Sequence, residues 1–357
     1  MSALVASWRE RIRAAAQVNA PLRIVGGGTK DFYGRELIGE RFETAEHRGI
    51  TDYDPTELVV TARCGTLLVE VEQALAGQRQ MLAFEPPHFG EGATLGGCIA
   101  AGLSGPRRPY AGAVRDVVLG VRVLDGRGDE LRFGGRVMKN VAGFDVSRLV
   151  VGSLGTFGVI LEASIKCLPQ PRLEQTIAVE LGADAALGRF AEWSPLPLAI
   201  SASCWCADRL TLRLSGAESA IAHAAHRIGG ETIDASEAGA HWRNVRDHRH
   251  AFFGASPGAL WRASVRATAP QPAIAAPSMI EWSGALRWFV TDSPHEGALI
   301  REWARAHGGH ATLFRGGDKS AEIFQPLPDA MMTLHRQLKS GFDPSGIFNP
   351  RRMYAEF

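Results

Sequence analysis

"VGGGTK", residues 25–30, follows the short apolar run Leu22-Arg23-Ile24. How these three glycines are read decides which fold the first half of the chain can take. A P-loop requires G-x-x-x-x-G-K-[ST], and no Ser or Thr follows Lys30. A Rossmann turn requires G-x-G-x-x-G. Gly26 and Gly28 fit, but Asp31 stands at the third glycine position. Two readings remain for bare backbone at a strand end. One is a tight turn, the ordinary use of glycine. The other is a cradle in which consecutive N–H groups converge on an anion.

The rest of the chain bounds the choice. It has 357 residues, 45% apolar and 22% charged, with net charge +1. At roughly 100–200 residues per domain this predicts two or three domains. The charge balance supplies no long-range field for nucleic acid or an acidic membrane. Five cysteines (Cys64, Cys98, Cys167, Cys204, Cys206) are scattered without a framework, which suggests a reducing compartment. None forms the four-cysteine run of an iron–sulfur site. "MSALVASWRERIRAAAQ" reads as an amphipathic helix with internal charges, not a signal peptide. The apolar stretch 149–161 is broken by glycines and too short for a span. A cytoplasmic location is expected. Sixteen of the 40 glycines fall between 90 and 158, so that region is where chemistry is sought.

Patterning predicts helix 3–18, strand 22–26, a turn at 54–57, strand 58–63, and helix 67–76 capped by Gly65-Thr66. A strand follows at 81–84, then a helix at 94–101 opened by Thr94. A hairpin spans 114–135 about Asp125–Gly128, followed by helix 145–151 and a strand 158–167 ended by Pro169. Strands and short helices alternate without a βαβ period, which indicates an α+β fold. Beyond Pro169-Gln170-Pro171 a second α+β layer is expected, with strands near 176–181, 198–205, 209–214, 260–267 and 284–290. Its helices are placed near 183–193, 217–228 and 297–307. A helix near 328–340 and the loop "FDPSGIFNPRRMY" (342–354) follow. The expected division is 1–169, 170–325 and 326–357.

Two further junctions are stripped of side chains. In "ATLGGCIAAGLSG" (93–105), Gly96 and Gly97 lie in the first turn of a helix, where each costs about 1 kcal/mol relative to alanine. An anion at the helix start or close packing of two elements would each explain them. In "VGSLGTFGVI" (151–160), Gly152, Gly155 and Gly158 mark the passage from helix to strand. Three such junctions in one region favour a ligand laid against exposed backbone.

These stretches carry a family resemblance. "GGGTK", "EPPHFGEGATLGGCIAAGLSG", "VRDVVLGVRVLDGRG" and "VMKNVAGFDVSRLVVGSLGTFGVILEASIKCLP" resemble the vanillyl-alcohol-oxidase (PCMH-type) FAD-binding domain. "FDPSGIFNPRRMY" resembles the C-terminal loop of its D-2-hydroxy-acid dehydrogenase branch. The resemblance implies a PCMH-type FAD-binding domain at 1–169, an α+β cap at 170–325 and a C-terminal segment returning to the flavin. It implies FAD diphosphate on Val25, Gly26, Gly27, Gly28, Thr29 and Lys30, and the second half of the cradle on Pro87, Thr94, Gly96, Gly97, Gly102 and Ser104. It places Gly155, Gly158 and Val159 near the rings and Asn349 near the flavin. Covalent relatives often carry His in the first loop. Thr29 and Lys30 stand here, so the FAD is expected to be non-covalent. The likeness further implies work beside a larger flavin subunit and an iron–sulfur subunit, with a small 2-hydroxy acid as substrate. Membrane contact would come only through those partners.

Oxidising a 2-hydroxy acid requires a cation for the carboxylate, a base for the hydroxyl proton and exclusion of water. Arg107, Arg108, Arg287 and Arg315 are the candidate cations, His88 the candidate base and His310 the second. The branch also carries an H-x-G-D-G-N-x-H-type motif in its cap. "HGGHATLFRGG" (307–317) lacks that spacing, and no metal site is expected from His307 and His310, His223 and His226, or His248 and His250. Two roles follow: a subunit that oxidises glycolate or a related D-2-hydroxy acid, or an FAD-binding electron relay and scaffold. A stand-alone flavin oxidase of another small alcohol is a third. The missing cap motif favours the relay.

Overall fold

A computed structural model describes residues 3–135, 145–254 and 258–357; the quoted stretch 137–144 lies outside the described residues. Helix Ala3–Gln17 places Val5, Trp8, Ile12 and Ala15 on one buried face, the spacing of an amphipathic helix. That face packs on Leu22, Phe42, Leu124, Val159 and Phe348. Strand Leu22–Val25 runs parallel to Glu40–Glu43. The C-terminal segment joins it: Leu22 N–H donates to Ile347 O at 2.7 Å, and Asn349 N–H donates to Leu22 O at 2.9 Å.

A five-stranded antiparallel sheet follows, in the order Ile50–Asp54, Val59–Arg63, Val159–Lys166, Val118–Leu124, Glu130–Gly134. Helices Leu68–Ala76 and Leu95–Ala101 bury Leu68, Val71, Leu75, Leu95 and Ile99 against Val60, Ala62, Val121 and Ala163. Each such side chain contributes about 1.5–3 kcal/mol. This packing fixes the start of the glycine-rich helix beside the loop that follows Val25.

The second sheet has eight antiparallel strands, ordered Glu231–Ile233, Leu173–Glu180, Arg209–Gly216, Ile200–Cys206, Ser278–Glu281, Leu286–Val290, Leu260–Ser264, His310–Arg315. Its alternating side chains divide it. Ile177, Leu212, Ile280, Trp261 and Phe289 face the helices Ala183–Trp193, Glu218–Ile228 and Pro294–Ala306. Cys204, Met279, Trp288 and Phe314 face Tyr33, Ala101 and Leu103 of the first half of the chain, together with Trp242 and Val245 of helix Ala235–Arg246. The fold is α+β, as the sequence predicts. Among the described residues no helix is long and apolar enough to cross a membrane.

Some expectations need correction. Thr66 does not cap the second helix; its Oγ1 accepts from Gly49 N–H at 2.9 Å, and Leu67 occupies the cap position. The strand expected at 81–84 shrinks to Gln80–Met81, which pairs with a two-residue strand, Leu168–Pro169, that ends at Pro169 as expected. The strands Glu40–Glu43 and Ile50–Asp54 ("ERFE", "ITDYD") were not expected. Only Phe42 among their side chains is fully buried, and the polar remainder hides the period.

Candidate functional site

The loop after Val25 is unusual in its unused donors. Among the described residues, none of the five N–H groups from Gly26 to Lys30 donates to a protein acceptor. The loop is closed from its other side, by Asp31 N–H on Gly28 O (3.1 Å) and Tyr33 N–H on Lys30 O (3.0 Å). Gly27 and Gly28 are exposed. Packing also demands glycine here: a Cβ on Gly27 would lie 1.5 Å from Gly92 O, and one on Gly26 would lie 2.5 Å from Thr94 Oγ1. The two opening alternatives therefore coexist. The loop is a tight packed turn, and its amides remain open.

The second stretch differs from the expectation. Thr94 does cap its helix, with Oγ1 accepting from Gly97 N–H at 3.2 Å. The other early amides are bonded as well: Leu95 to Thr66 O (2.9 Å), Gly96 to Cys64 O (2.8 Å) and Cys98 to Thr94 O (2.9 Å). Among the described residues the N–H groups from Leu95 to Cys98 are thus all bonded. Gly96 and Gly102 are required by packing, since their Cβ atoms would fall 2.7 Å from Cys64 Cβ and 2.8 Å from Gly152 Cα. In the third stretch, a Cβ on Gly158 would meet Leu124 O at 2.3 Å. Val159 is buried in the core under the first helix.

A cleft of about 80 Å³ brings together Val25, Gly26, Gly27, Gly28, Thr29, Lys30, Thr94, Gly97 and Asn349. It adds Tyr33, Ala100, Leu154 and Arg352. Gly96, Gly102, Gly155, Gly158 and Val159 do not line it, and Pro87 and Ser104 line a neighbouring cavity. Lys30 Nζ reaches His88 O at 3.3 Å and lies 5.6 Å from the Phe89 ring centroid. Burial lowers its pKa.

The C-terminal segment forms one wall. Asn349 Oδ1 accepts from Ile24 N–H at 2.8 Å, and its Nδ2 donates to Leu154 O at 2.6 Å. A Cβ on Gly155 would lie 2.7 Å from that Nδ2. Arg352 donates to the carbonyls of Asp31 (2.7 Å), Tyr33 (2.5 Å) and Arg35; burial pushes its pKa down to about 10. Beneath them Lys339 Nζ donates to Thr156 O (2.8 Å), Phe348 O (2.7 Å) and Asp343 Oδ2 (2.6 Å). Asp343 in turn accepts from Ile347 and Phe348 N–H.

Most candidate catalytic residues are occupied elsewhere. His88 Nε2 lies 3.1 Å from Glu72 Oε2, and the His88 backbone N–H donates to Asp247 Oδ1 at 2.8 Å. Arg107 is buried among Glu85, Glu174 and Ser215. Arg287 is fully buried on the carbonyls of Gly284 and Ala269. His310 is exposed on a sheet-edge strand. Arg108 lies 4.4 Å from the Trp282 ring centroid, and Arg315 lies 4.5 Å from that of Phe32. Among the described residues no three His, Cys, Asp or Glu side chains are placed to hold a metal ion.

Sequence reasoning missed His248 as a candidate for binding, and Arg262 and Glu281 entirely. All three line the neighbouring cavity of about 20 Å³ with Phe89, Trp288 and Phe314. They come from separate elements, and no spacing announces the set.

Residues 5–134 match the family model described as FAD binding domain. The chain is 47% identical to the glycolate oxidase subunit GlcE of Escherichia coli (strain K12), over 97% of this chain and 96% of that protein. It is 35% identical to the glycolate oxidase subunit GlcD of Bacillus subtilis (strain 168), over 36% of this chain and 27% of that one. Among solved structures, 4-ethylphenol oxidase from Gulosibacter chungangensis superposes with a TM-score of 0.69 at 14% identity, over 98% of this chain and 87% of that chain. That last likeness concerns the fold alone.

Proposed function

We propose, from the premise that this chain belongs to the glycolate oxidase subunit GlcE family, that it is the FAD-holding subunit of a glycolate oxidase complex and seats the FAD diphosphate on the loop Gly26–Lys30. It is an FAD-dependent oxidoreductase subunit of a multi-subunit enzyme acting on a CH–OH group. The observation that carries the seat is the run of five amides without a protein acceptor. A hydrogen bond to a charged group contributes about 1.5–3 kcal/mol, so two or three such bonds give substantial affinity.

Bound FAD supplies a two-electron acceptor that can pass electrons on singly. The chain's own residues do the rest. Gly27 and Gly28 let the diphosphate approach, Lys30 adds positive charge beside it, and Asn349 fixes the strand Leu22–Val25 against the turn at Leu154. The cleft's 80 Å³ is below the roughly 300–1,000 Å³ of ligand pockets, so the remainder of the dinucleotide extends beyond it. No His stands in the first loop, which supports non-covalent FAD.

In this reading residues 1–169 hold the flavin, 170–325 form the cap and 326–357 return to the site. The partners are a larger flavin subunit and an iron–sulfur subunit, the substrate is a small 2-hydroxy acid, and the complex is cytoplasmic with membrane contact only through its partners. The test is purification of the chain with and without those subunits and measurement of flavin per polypeptide. Near-stoichiometric FAD released by acid is expected; a colourless chain that binds no added FAD would refute the reading. Anaerobic mixing with glycolate then separates the two roles: bleaching of the flavin marks direct oxidation, and an unchanged spectrum marks a relay.

A further inference from the structure

Cations removed from water are normally paired. Two near the neighbouring cavity are not: Arg262 lines it, and Arg315 lies outside its lining, over the ring of the wall residue Phe89. Arg262 and Arg315 are half-buried, and among the described residues neither makes a hydrogen bond or an ion pair. Their contacts are rings: Arg262 lies 5.2 Å from the Trp282 centroid and 6.0 Å from that of Trp288, and Arg315 lies 4.5 Å from Phe32 and 5.7 Å from Phe89. Ring contacts of this kind orient a guanidinium and leave its N–H donors free.

His248 lines the cavity with Arg262 and interacts electrostatically with both arginines. Its ring is stacked on Phe253 at 3.9 Å and set edge-on to Trp288 (4.7 Å) and Phe89 (4.9 Å), which fixes the imidazole. Among the described residues its Nδ1 is buried without a hydrogen-bond partner, a condition that normally marks a missing water or ligand. Burial and the two arginines hold its pKa well below the ordinary value. The ring therefore stays neutral and can accept a hydrogen bond. Glu281, which lines the same cavity, is engaged by Trp288 Nε1–H at 2.7 Å, and burial pushes its pKa up to about 7.

We propose that Arg262, Arg315 and His248 form the binding site of a small 2-hydroxy carboxylate, the two guanidiniums taking the carboxylate and the imidazole accepting a hydrogen bond from the hydroxyl. The proposal rests on the FAD-subunit reading for its choice of ligand. The cavity of about 20 Å³ has room for little more than a water. The acid would therefore reach beyond the cavity's lining toward Arg315, and a two-carbon acid fits with less rearrangement than a longer one.

The test uses the full chain loaded with FAD and reduced with dithionite, so that no turnover occurs. Glycolate and acetate are titrated by tryptophan fluorescence. The site predicts saturable glycolate binding several-fold tighter than acetate. Arg262→Gln and Arg315→Gln should each weaken both ligands about ten-fold or more, while His248→Phe should bring glycolate down to the acetate level. Arg262→Lys controls for folding and should retain partial binding. Equal glycolate affinity in wild type and Arg262→Gln, or no preference over acetate in wild type, overturns the site. Flavin content is measured on every preparation. Loss of FAD with these titrations intact refutes the cofactor reading alone, and retained FAD with unaffected titrations refutes this site alone.

Discussion

Gly27→Ala tests the geometry of the first loop most severely for a single methyl group. The added Cβ would lie 1.5 Å from Gly92 O and 2.4 Å from Gly92 C, both backbone atoms. Ordinary contact is about 3.5 Å, so the two loops must part by about 2 Å. Overpacking of this kind costs about 1–3 kcal/mol of stability. The larger effect is on the ligand. Displacement by 2 Å takes at least one amide out of hydrogen-bond range of the diphosphate, which at 1.5–3 kcal/mol weakens FAD binding roughly 10- to 150-fold. The assay is quenching of flavin fluorescence on titration of FAD into the apoprotein, with far-UV CD as the control for folding. Gly188→Ala is the matched control: it lies within helix Ala183–Trp193 and its Cβ would meet nothing within 4 Å. A Gly27→Ala protein that binds FAD as tightly as wild type would refute the packing and the seat together.

Lys339→Met should cost about 3–5 kcal/mol, because Asp343 would be left buried without its cation; urea denaturation checks this, and adding Asp343→Asn should recover part of the loss. Glu281→Gln should flatten the pH dependence of stability. The folded state keeps the Glu281 proton up to about pH 7, whereas the ordinary value is 4.5. The native state therefore binds more protons across that window, and stability falls as pH rises through it. At 1.36 kcal/mol per pH unit the full window corresponds to roughly 3 kcal/mol, measured as the difference between wild type and variant in denaturation midpoints at pH 4.5 and 8. Gly188→Ala should itself raise stability by about 1 kcal/mol, the helix preference for alanine, read as a small increase in melting temperature.

Much of the framework was legible because local chemistry decides it. Val5, Trp8, Ile12 and Ala15 announce the first helix by their spacing. Thr94 declares a cap that the structure contains. The hairpin Val118–Gly134 turns where Asp125 accepts from Arg127 and Asp129 N–H. The glycine junctions were visible too, but their causes were not. Whether Gly96 and Gly102 serve a ligand or a neighbour depends on Cys64 and Gly152, which lie far along the chain. The same distance hides Arg262, His248 and Glu281, which converge only when the second sheet meets the aromatic residues after the first loop. Lys339 and Asp343 stand at i,i+4 spacing, which alone marks only two residues on one helix face. Their burial, which gives the pair its weight, follows from the return of residues 342–352 to strand Leu22–Val25.

Hydrogen exchange resolved to single amides, with and without FAD, probes the diphosphate seat most directly. Among the described residues the N–H groups of Gly26 through Lys30 have no protein acceptor, and they should exchange fast in the apoprotein, then slow markedly when FAD is added. Leu95 through Cys98 are already bonded and should change little. FAD protection confined to Leu95–Cys98, with Gly26–Lys30 exchanging as before, would contradict the assignment.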